Sequence, residues 1–152
     1  MPKYLSKSDF QLASSCPKKL SYKKEFYPTA NDTNEYMQLL AQGGYVIGKM
    51  ATLLYPEGIE IDGNTQECIA RTREYLQREE VVLFEPAIVH EQKLVRVDIL
   101  VKKKNHFHLI EVKAKSHNTE DDESKAKAKL KTYIEDVAYQ YTVLKAAFPE
   151  AT

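Results

Sequence analysis

The sequence predicts an α/β fold in which a small mixed sheet, beginning with an antiparallel three-strand meander, is flanked by helices. Two observations support this prediction. Apolar residues recur at helical spacing in the first half of the chain and again near its end. Between these regions lie three stretches that are rich in β-branched residues and partly alternate between apolar and polar. With 152 residues, 43% of them hydrophobic, the chain is predicted to form a single domain.

Four helices are predicted from apolar stripes and from residues that favour helix ends. They cover about Ser6–Lys24, Thr33–Leu54, Asn64–Glu79 and Lys125–Phe148. Pro17 is expected to kink the first helix or to divide it in two. Gly43, Gly44 and Gly48 lie inside the second helix, where each costs roughly 1 kcal/mol relative to alanine. They therefore indicate a break in the helix, or a close approach by another backbone or by a ligand.

The predicted strands bring three acidic residues together. The strands are Val81–His90, Leu94–Lys102 and Phe107–Lys115. Two-residue turns at Glu91-Gln92 and Lys104-Asn105 would fold these strands into antiparallel hairpins. In this register Glu85 lies opposite Asp98, and Asp98 lies opposite Glu111. Because directly opposed residues have Cβ atoms about 4.5–5.5 Å apart, the three carboxylates are predicted to form one row.

A row of three carboxylates is destabilised by repulsion unless protons or a cation lie between the charges. Carboxylate oxygens are the ligands that a hard divalent ion such as Mg²⁺ prefers. Lys113 points to the same face as Glu111, because side chains alternate along a strand. The sequence therefore predicts a chemical site, and the structural alternative is a set of solvent-facing charges that pair with one another on an amphipathic sheet. Arg96 is predicted either to contact phosphate or to pair with one of the acids.

Composition limits the classes of function. The formal net charge is zero, so the molecule as a whole is not a basic nucleic-acid binder, although a locally basic face remains compatible with the sequence. Lys18, Lys19, Lys23 and Lys24 form such a cluster beside Tyr22, and similar clusters are more often only a solvated face. No segment has the length of a membrane span or the apolar core of a signal peptide, so we expect a cytoplasmic protein without a membrane partner.

Several blocks of sequence occur in a distinctive order. They are Tyr4–Asp9 leading to Cys16-Pro17-Lys18, Gln42-Gly43-Gly44 with Gly48, Leu94–Val101, Leu109–Lys113 and Asp136–Tyr141. Together these blocks resemble the PD-(D/E)XK nuclease superfamily, and within it the RecB-like branch that includes CRISPR-adaptation exonucleases. The chain is also similar to the N-terminal part of a family of long bacterial proteins placed near these nucleases. The resemblance implies a restriction-endonuclease-like domain over residues 1–152, which either lacks the last strand of the full fold or is a naturally short version of it.

The resemblance implies a Mg²⁺- or Mn²⁺-dependent deoxyribonuclease, a hydrolase that cleaves phosphodiester bonds in DNA. Asp98 and Glu111 would bind the metal, with the backbone carbonyl of Val112 as a third ligand. Glu85 would contact the metal directly or through water. Lys113 would orient or deprotonate the attacking water, or neutralise charge on the phosphate.

Two further elements of the resemblance concern the helices. Gln140 would lie near the metal site and contact the substrate or a bound water, although Leu144 replaces the tyrosine that usually follows four residues later. Gln42, Gly44 and Gly48 would lie where the second helix faces the site, and close helix–sheet packing is the favoured explanation for the glycines.

The cysteines depart from the pattern of the iron–sulfur nucleases. Those nucleases hold their cluster with one N-terminal and three C-terminal cysteines. Here Cys16 stands alone at the N-terminal position and Cys68 lies elsewhere, so we expect no iron–sulfur cluster.

Two alternatives stay open at the level of sequence. The chain could be a non-cleaving nucleic-acid-binding or assembly module on a nuclease fold, because an incomplete sheet leaves an open edge through which a homodimer could form. RNA could also take the place of DNA as the phosphodiester substrate.

Overall fold

The computed structural model describes residues 4–27, 35–115 and 123–152, excluding the side chains of residues 123–129. These residues contain five helices: α1 (Lys7–Ser15), α2 (Pro17–Lys24), α3 (Glu35–Thr52), α4 (Thr65–Tyr75) and α5 (Glu123–Ala147). They also contain six strands: β1 (Ile59–Glu60), β2 (Glu80–Phe84), β3 (Ala87–His90), β4 (Lys93–Arg96), β5 (Ile99–Lys103) and β6 (His106–Ile110). The prediction of a mixed α/β fold with a small mixed sheet is confirmed. The predicted start of the second helix at Thr33 lies outside the described residues.

Pro17 divides the first predicted helix in two. Cys16 is extended between α1 and α2, because a residue that precedes proline avoids the helical region. Pro17 then occupies the first turn of α2, where a missing N–H leaves no hydrogen bond unmade. Ser6 and Asp9 form a capping box at the start of α1, and Asn64 caps α4 in the same way.

The first two predicted strands are also each divided. Val81–His90 breaks at Glu85-Pro86 into β2 and β3, and Leu94–Lys102 breaks at Val97-Asp98 into β4 and β5. Proline cannot donate to a strand ladder, and Glu85 has a left-handed backbone with φ of 54°. The structure does not show the predicted three-strand meander over its described residues. It has a four-stranded sheet in the order β1-β2-β5-β6 and a separate two-stranded ribbon of β3 and β4. The short β1 pairs parallel with β2, so the larger sheet is mixed.

The predicted register between the strands is confirmed. Strands β5 and β6 pair Ile99 with Ile110, so the next pair outward is Asp98 with Glu111. The register between β2 and β5 likewise places Glu85 opposite Asp98, and the Glu85 amide donates to the Asp98 carbonyl at 3.1 Å. The three acids therefore lie at the same end of three neighbouring strands.

The main core lies between the larger sheet, the β3–β4 ribbon, α4 and α5. Its buried members come from all of these elements and include Cys68, Leu83, Val95, Leu100 and Val143. A smaller cluster of Val82, Phe84 and Ile99 lies on the other face of the sheet, near the end of α3. None of the residues of α3 is buried, and its large apolar side chains are mostly exposed. Over the described part of the chain, no helix combines the length and apolar character needed to cross a membrane.

Candidate functional site

Glu85, Asp98 and Glu111 form what we call the acid row, and the pKa values of Glu85 and Asp98 are raised. Burial raises the pKa of Asp98 above its ordinary value of 3.8, and the negative charge of Glu111 raises it further. The Val112 amide donates to Asp98 Oδ2 at 2.6 Å, which lowers this pKa but does not cancel the rise. Burial also raises the pKa of Glu85, and the neighbouring charge of Asp98 raises it further. Both shifts mean that the site disfavours negative charge at these two positions.

Glu111 is held in the opposite electrostatic state. Its side chain is only 4% exposed, and its Oε1 accepts from Lys7 Nζ at 2.8 Å and from Lys113 Nζ at 2.5 Å. Its Oε2 accepts from Gln140 Nε2 at 2.6 Å. Burial alone would raise the pKa of Glu111, but the hydrogen bonds from Lys113, Lys7 and Gln140 outweigh burial and hold this pKa below its ordinary value. Glu111 is therefore an ionised carboxylate with three donors.

Lys113 extends from the segment that follows β6 and meets two acids. Its Nζ lies 2.5 Å from Glu111 Oε1 and 3.5 Å from Asp136 Oδ2, and it stands 5.4 Å from the centre of the Tyr133 ring. Burial lowers the pKa of Lys113, but the hydrogen bond to Glu111 and the charge of Asp136 outweigh burial and raise it. Lys113 is therefore a cation at neutral pH, as a group that neutralises phosphate charge must be.

Helix α5 places Gln140 and Asp136 against the row, one turn apart. Gln140 is completely buried and Asp136 is 1% exposed. Gln11 donates to Asp136 Oδ1, so α1 is tied to α5 at this point. Gln140 Oε1 has no hydrogen-bond partner within the described residues, which is costly for a buried amide. Sequence reasoning assigned no role to Asp136, although its place at the start of the Asp136–Tyr141 block was a usable signal.

A cleft of about 310 Å³ opens beside the row. Its lining includes Glu85, Asp98 and Val112 together with Gly44 and Gly48 of α3. The expectation that the glycine-marked helix faces the site is therefore confirmed for these two glycines. Gln42 and Glu111 are not part of the described lining.

Close helix–sheet packing, the favoured explanation for the glycines, is wrong. A Cβ added at Gly43, Gly44 or Gly48 would meet no described atom within 4 Å. The described chain therefore leaves open space in front of the glycines. This space belongs to the cleft at Gly44 and Gly48, where a ligand backbone could approach the helix closely.

We expect Gly48→Ala to raise the free energy of unfolding by about 0.5–1 kcal/mol, because alanine is the better helix former and meets no steric clash. Gly58→Ala is the matched contrast, since its Cβ would lie 2.0 Å from the ring of the buried Phe84 and should destabilise by about 2 kcal/mol. Urea unfolding of both variants measures the sign of each change in the free energy of unfolding. Destabilisation by Gly48→Ala would show that an unseen packing contact needs this glycine.

Of the two roles predicted for Arg96, contact with phosphate or pairing with an acid, the structure shows pairing with an acid. Its Nε lies 3.7 Å from Glu85 Oε2, and its terminal nitrogens donate to Cys68 Sγ at 3.2 Å and to the Ile61 carbonyl at 3.0 Å. Arg96 therefore ties the cleft to the loop before α4. In the α2 lysine cluster, Lys23 pairs with Asp9 at 2.7 Å, which uses part of the predicted basic face within the protein.

The donor chemistry of the row fits a hard divalent cation. Three carboxylates converge from neighbouring strand ends, and the buried Gln140 Oε1 adds an unpartnered oxygen. In the part of the chain that the structure describes, however, no group of three His, Cys, Asp or Glu side chains is already at metal-binding spacing. Because Glu111 already accepts from Lys7 and Lys113, a metal ion would have to compete with their ammonium groups for this carboxylate.

Comparison of the chain with protein-family models, with curated proteins and with solved structures found no match. The resemblance to PD-(D/E)XK nucleases therefore stays a prediction from the residues themselves. What the fold and the site establish is a mixed α/β domain with an acid row, two lysines and a buried glutamine at one end of its sheet.

Proposed function

We propose that this chain is a metal-dependent nuclease domain of PD-(D/E)XK type that hydrolyses phosphodiester bonds in DNA. The observation that carries the proposal is the convergence of Glu85, Asp98 and Glu111 at one end of the sheet, with Lys113 in contact with Glu111. A cytoplasmic location remains a prediction from the sequence.

Each residue of the site has a role in this proposal. Glu85, Asp98 and Glu111, with the Val112 carbonyl, would hold Mg²⁺ or Mn²⁺. When bound, the ion acts as a Lewis acid that polarises the phosphodiester and makes hydroxide available near neutral pH. Lys113 supplies a fixed positive charge for the phosphate oxygens, whose negative charge grows in the transition state.

Gln140 fixes the position of Glu111 through its amide N–H. Its second polar atom, the buried Oε1, offers an acceptor to a water or a substrate hydroxyl that enters the site. A role in substrate positioning fits both atoms better than a purely structural role, which would leave Oε1 unsatisfied at a cost of about 1–3 kcal/mol.

The backbone at Glu85 supports a functional role for this residue. Its φ of 54° is a left-handed conformation that costs a residue with a side chain of order 1 kcal/mol. Strain of this kind is concentrated at active sites, where a fixed side-chain direction is needed. The conformation ends β2 and turns the Glu85 side chain into the cleft beside Asp98.

The cleft suits an extended phosphodiester chain. Lys49, which pairs with Glu60, and Arg96, which lies 3.7 Å from Glu85, bring positive charge to its lining, and the ring of Tyr45 is largely exposed there. Aromatic rings and cations along a groove are the usual means of holding single-stranded nucleic acid, by stacking on bases and by attraction to phosphates.

The experiment compares the native protein with Asp98→Ala. We expect the native protein to bind Mn²⁺ in calorimetry and to degrade linear or single-stranded DNA in its presence. Asp98→Ala should bind Mn²⁺ at least tenfold more weakly, a loss of about 1.4 kcal/mol, and should lose cleavage. Asp62→Ala is the matched control, because Asp62 is an exposed aspartate that pairs with Arg71 away from the row. Full cleavage by Asp98→Ala would refute the assignment, and a parallel reaction with RNA tests the alternative substrate.

One observation favours a second candidate function. Glu111 accepts from three donors of the chain itself, as expected for a non-cleaving nucleic-acid-binding or assembly module. Strand β6 is the last strand of the described sheet, where Thr152 exchanges backbone hydrogen bonds with Phe107, near the start of β6, and with Asn105, just before it. A homodimer could form along the remaining edge. Failure of Mn²⁺ to bind in an Asp98-dependent way, together with a dimer in light scattering, would favour this function.

A further inference from the structure

Lys7 reaches the acid row from the far end of the chain. It is the first residue of α1, yet its Nζ lies 2.8 Å from Glu111 Oε1, 104 residues away in sequence. Helix α1 therefore brings a second ammonium group, besides that of Lys113, to the carboxylate of Glu111.

The backbone next to Lys7 is anchored to two other elements of the fold. The Leu5 amide donates to the Gln92 carbonyl at 2.7 Å, and the Leu5 carbonyl accepts from Leu94 at 2.9 Å, next to the β3–β4 ribbon. Tyr139 of α5 also donates to the Leu5 carbonyl, at 3.0 Å. Its ring stacks on Phe10 at 4.6 Å, so α1 is fixed to α5 as well.

The two lysines on Glu111 are held to different degrees. Lys113 contacts a second acid, Asp136, and lies over the Tyr133 ring. Lys7 has Glu111 as its hydrogen-bond partner among the described residues, and its side chain is 24% exposed on a flexible four-carbon stem. A cation in the first turn of a helix is also disfavoured by the helix dipole. Of the two, Lys7 is therefore the ammonium group that leaves Glu111 more easily.

We propose that Lys7 is the exchangeable cation of the acid row: it neutralises Glu111 in the metal-free protein and is displaced when a divalent cation binds. This inference rests on the proposed metal-dependent function. Lys7 gives Glu111 a second neutralising partner beside Lys113 until a metal ion takes its place. In this arrangement Lys7 lowers the affinity for metal and prevents the row from repelling itself in the metal's absence.

The test is Mn²⁺ calorimetry on the native protein, Lys7→Met and Lys7→Gln. Lys7→Met keeps the apolar stem, and Lys7→Gln keeps a hydrogen-bond donor without the charge. Both variants should bind Mn²⁺ about tenfold more tightly than the native protein, which corresponds to about 1.4 kcal/mol. Lys23→Met is the matched control, since it also removes a lysine that pairs with an acid. Lys23 lies on α2 and pairs with Asp9 of α1. It should bind Mn²⁺ with native affinity.

Thermal unfolding gives a second readout that does not depend on activity. The metal-free Lys7→Met protein should unfold at a lower temperature than the native protein, and a fixed Mn²⁺ concentration should raise its Tm by more, because tighter binding stabilises more. If the native protein binds Mn²⁺ and both Lys7 variants bind no more tightly, the inference is wrong and the proposed function stands. If neither the native protein nor the Lys7 variants bind Mn²⁺, the proposed function itself fails. If only the Lys7 variants bind Mn²⁺, and if their binding depends on Asp98, both the inference and the proposed function are supported.

Discussion

Replacing Glu111 by glutamine should lower the free energy of unfolding of the metal-free protein by about 3 kcal/mol. The change removes the carboxylate that Lys7 and Lys113 share in a nearly buried position, and breaking such a pair leaves charges without their partner. Lys113 keeps Asp136, so the loss should lie at the lower end of the range for buried ion pairs. Urea unfolding at pH 7 without divalent ions measures the effect.

Asp98→Asn provides the matched control for this prediction, with the opposite sign. The pKa of Asp98 is raised by burial and by Glu111, so its negative charge costs stability in the metal-free protein. An asparagine oxygen can still accept from the Val112 amide. Asp98→Asn should therefore stabilise by about 1 kcal/mol, as is common when a functional residue is removed. Equal changes in the free energy of unfolding would contradict the opposite pKa shifts of Asp98 and Glu111.

The pH dependence follows from the signs of the two shifts. The pKa of Glu111 lies below its ordinary value of 4.5, so its stabilising contribution is complete above pH 4.5 and is lost as the pH falls through the lowered pKa. The pKa of Asp98 lies above 3.8, so its ionised form costs stability at neutral pH. That cost disappears as the pH falls through the raised pKa. Acidification should therefore shrink both the gain from Asp98→Asn and, below pH 4.5, the loss from Glu111→Gln, which urea unfolding across this pH range measures.

Lys113→Met should lower the rate of Mn²⁺-dependent DNA cleavage by about a thousandfold, the effect of losing one preorganised charge from a transition state. Mn²⁺ affinity should not fall, because Lys113 is a cation that contacts a proposed ligand, Glu111, and does not itself bind the metal. Single-turnover cleavage together with calorimetry separates these two quantities. Loss of Mn²⁺ binding in parallel with cleavage would mean that Lys113 only supports the structure of the site.

Lys115→Met is the matched control for Lys113. Both lysines lie over the ring of Tyr133, at 5.0 Å for Lys115 and 5.4 Å for Lys113, and they are two residues apart on the same segment. The contact with Glu111 distinguishes Lys113. Cleavage by Lys115→Met should stay within a few-fold of the native rate. A comparable loss in both variants would assign the effect to the contact with the Tyr133 ring that the two lysines share.

The positions of the acids along the strands were predictable because they depend on local rules. Two-residue turns at Glu91-Gln92 and Lys104-Asn105, combined with the alternation of side chains, place Glu85, Asp98 and Glu111 in register. The starts of α1, α2 and α4 were predictable for the same reason, since caps and prolines act within a few residues of chain.

The interruptions of the strands were harder to predict, although Pro86 was a visible signal. A proline and a left-handed Glu85 end β2, and the chain then continues into a separate ribbon. Sequence periodicity alone joins β2 to β3, because both halves are apolar and β-branched. The open space at the glycines of α3 likewise depends on how far the helix stands from the sheet, and no local pattern specifies that distance.

The sequence by itself determined which acids face one another, because strand register depends on turns and alternation within about thirty residues. Only the tertiary structure decided which charges neutralise them. Lys7 comes to Glu111 from 104 residues away and Gln140 from 29, and these meetings depend on how α1 and α5 dock onto the sheet. Docking depends on side chains that fit together over the whole core, so the electrostatic state of the row could not be read from any one segment.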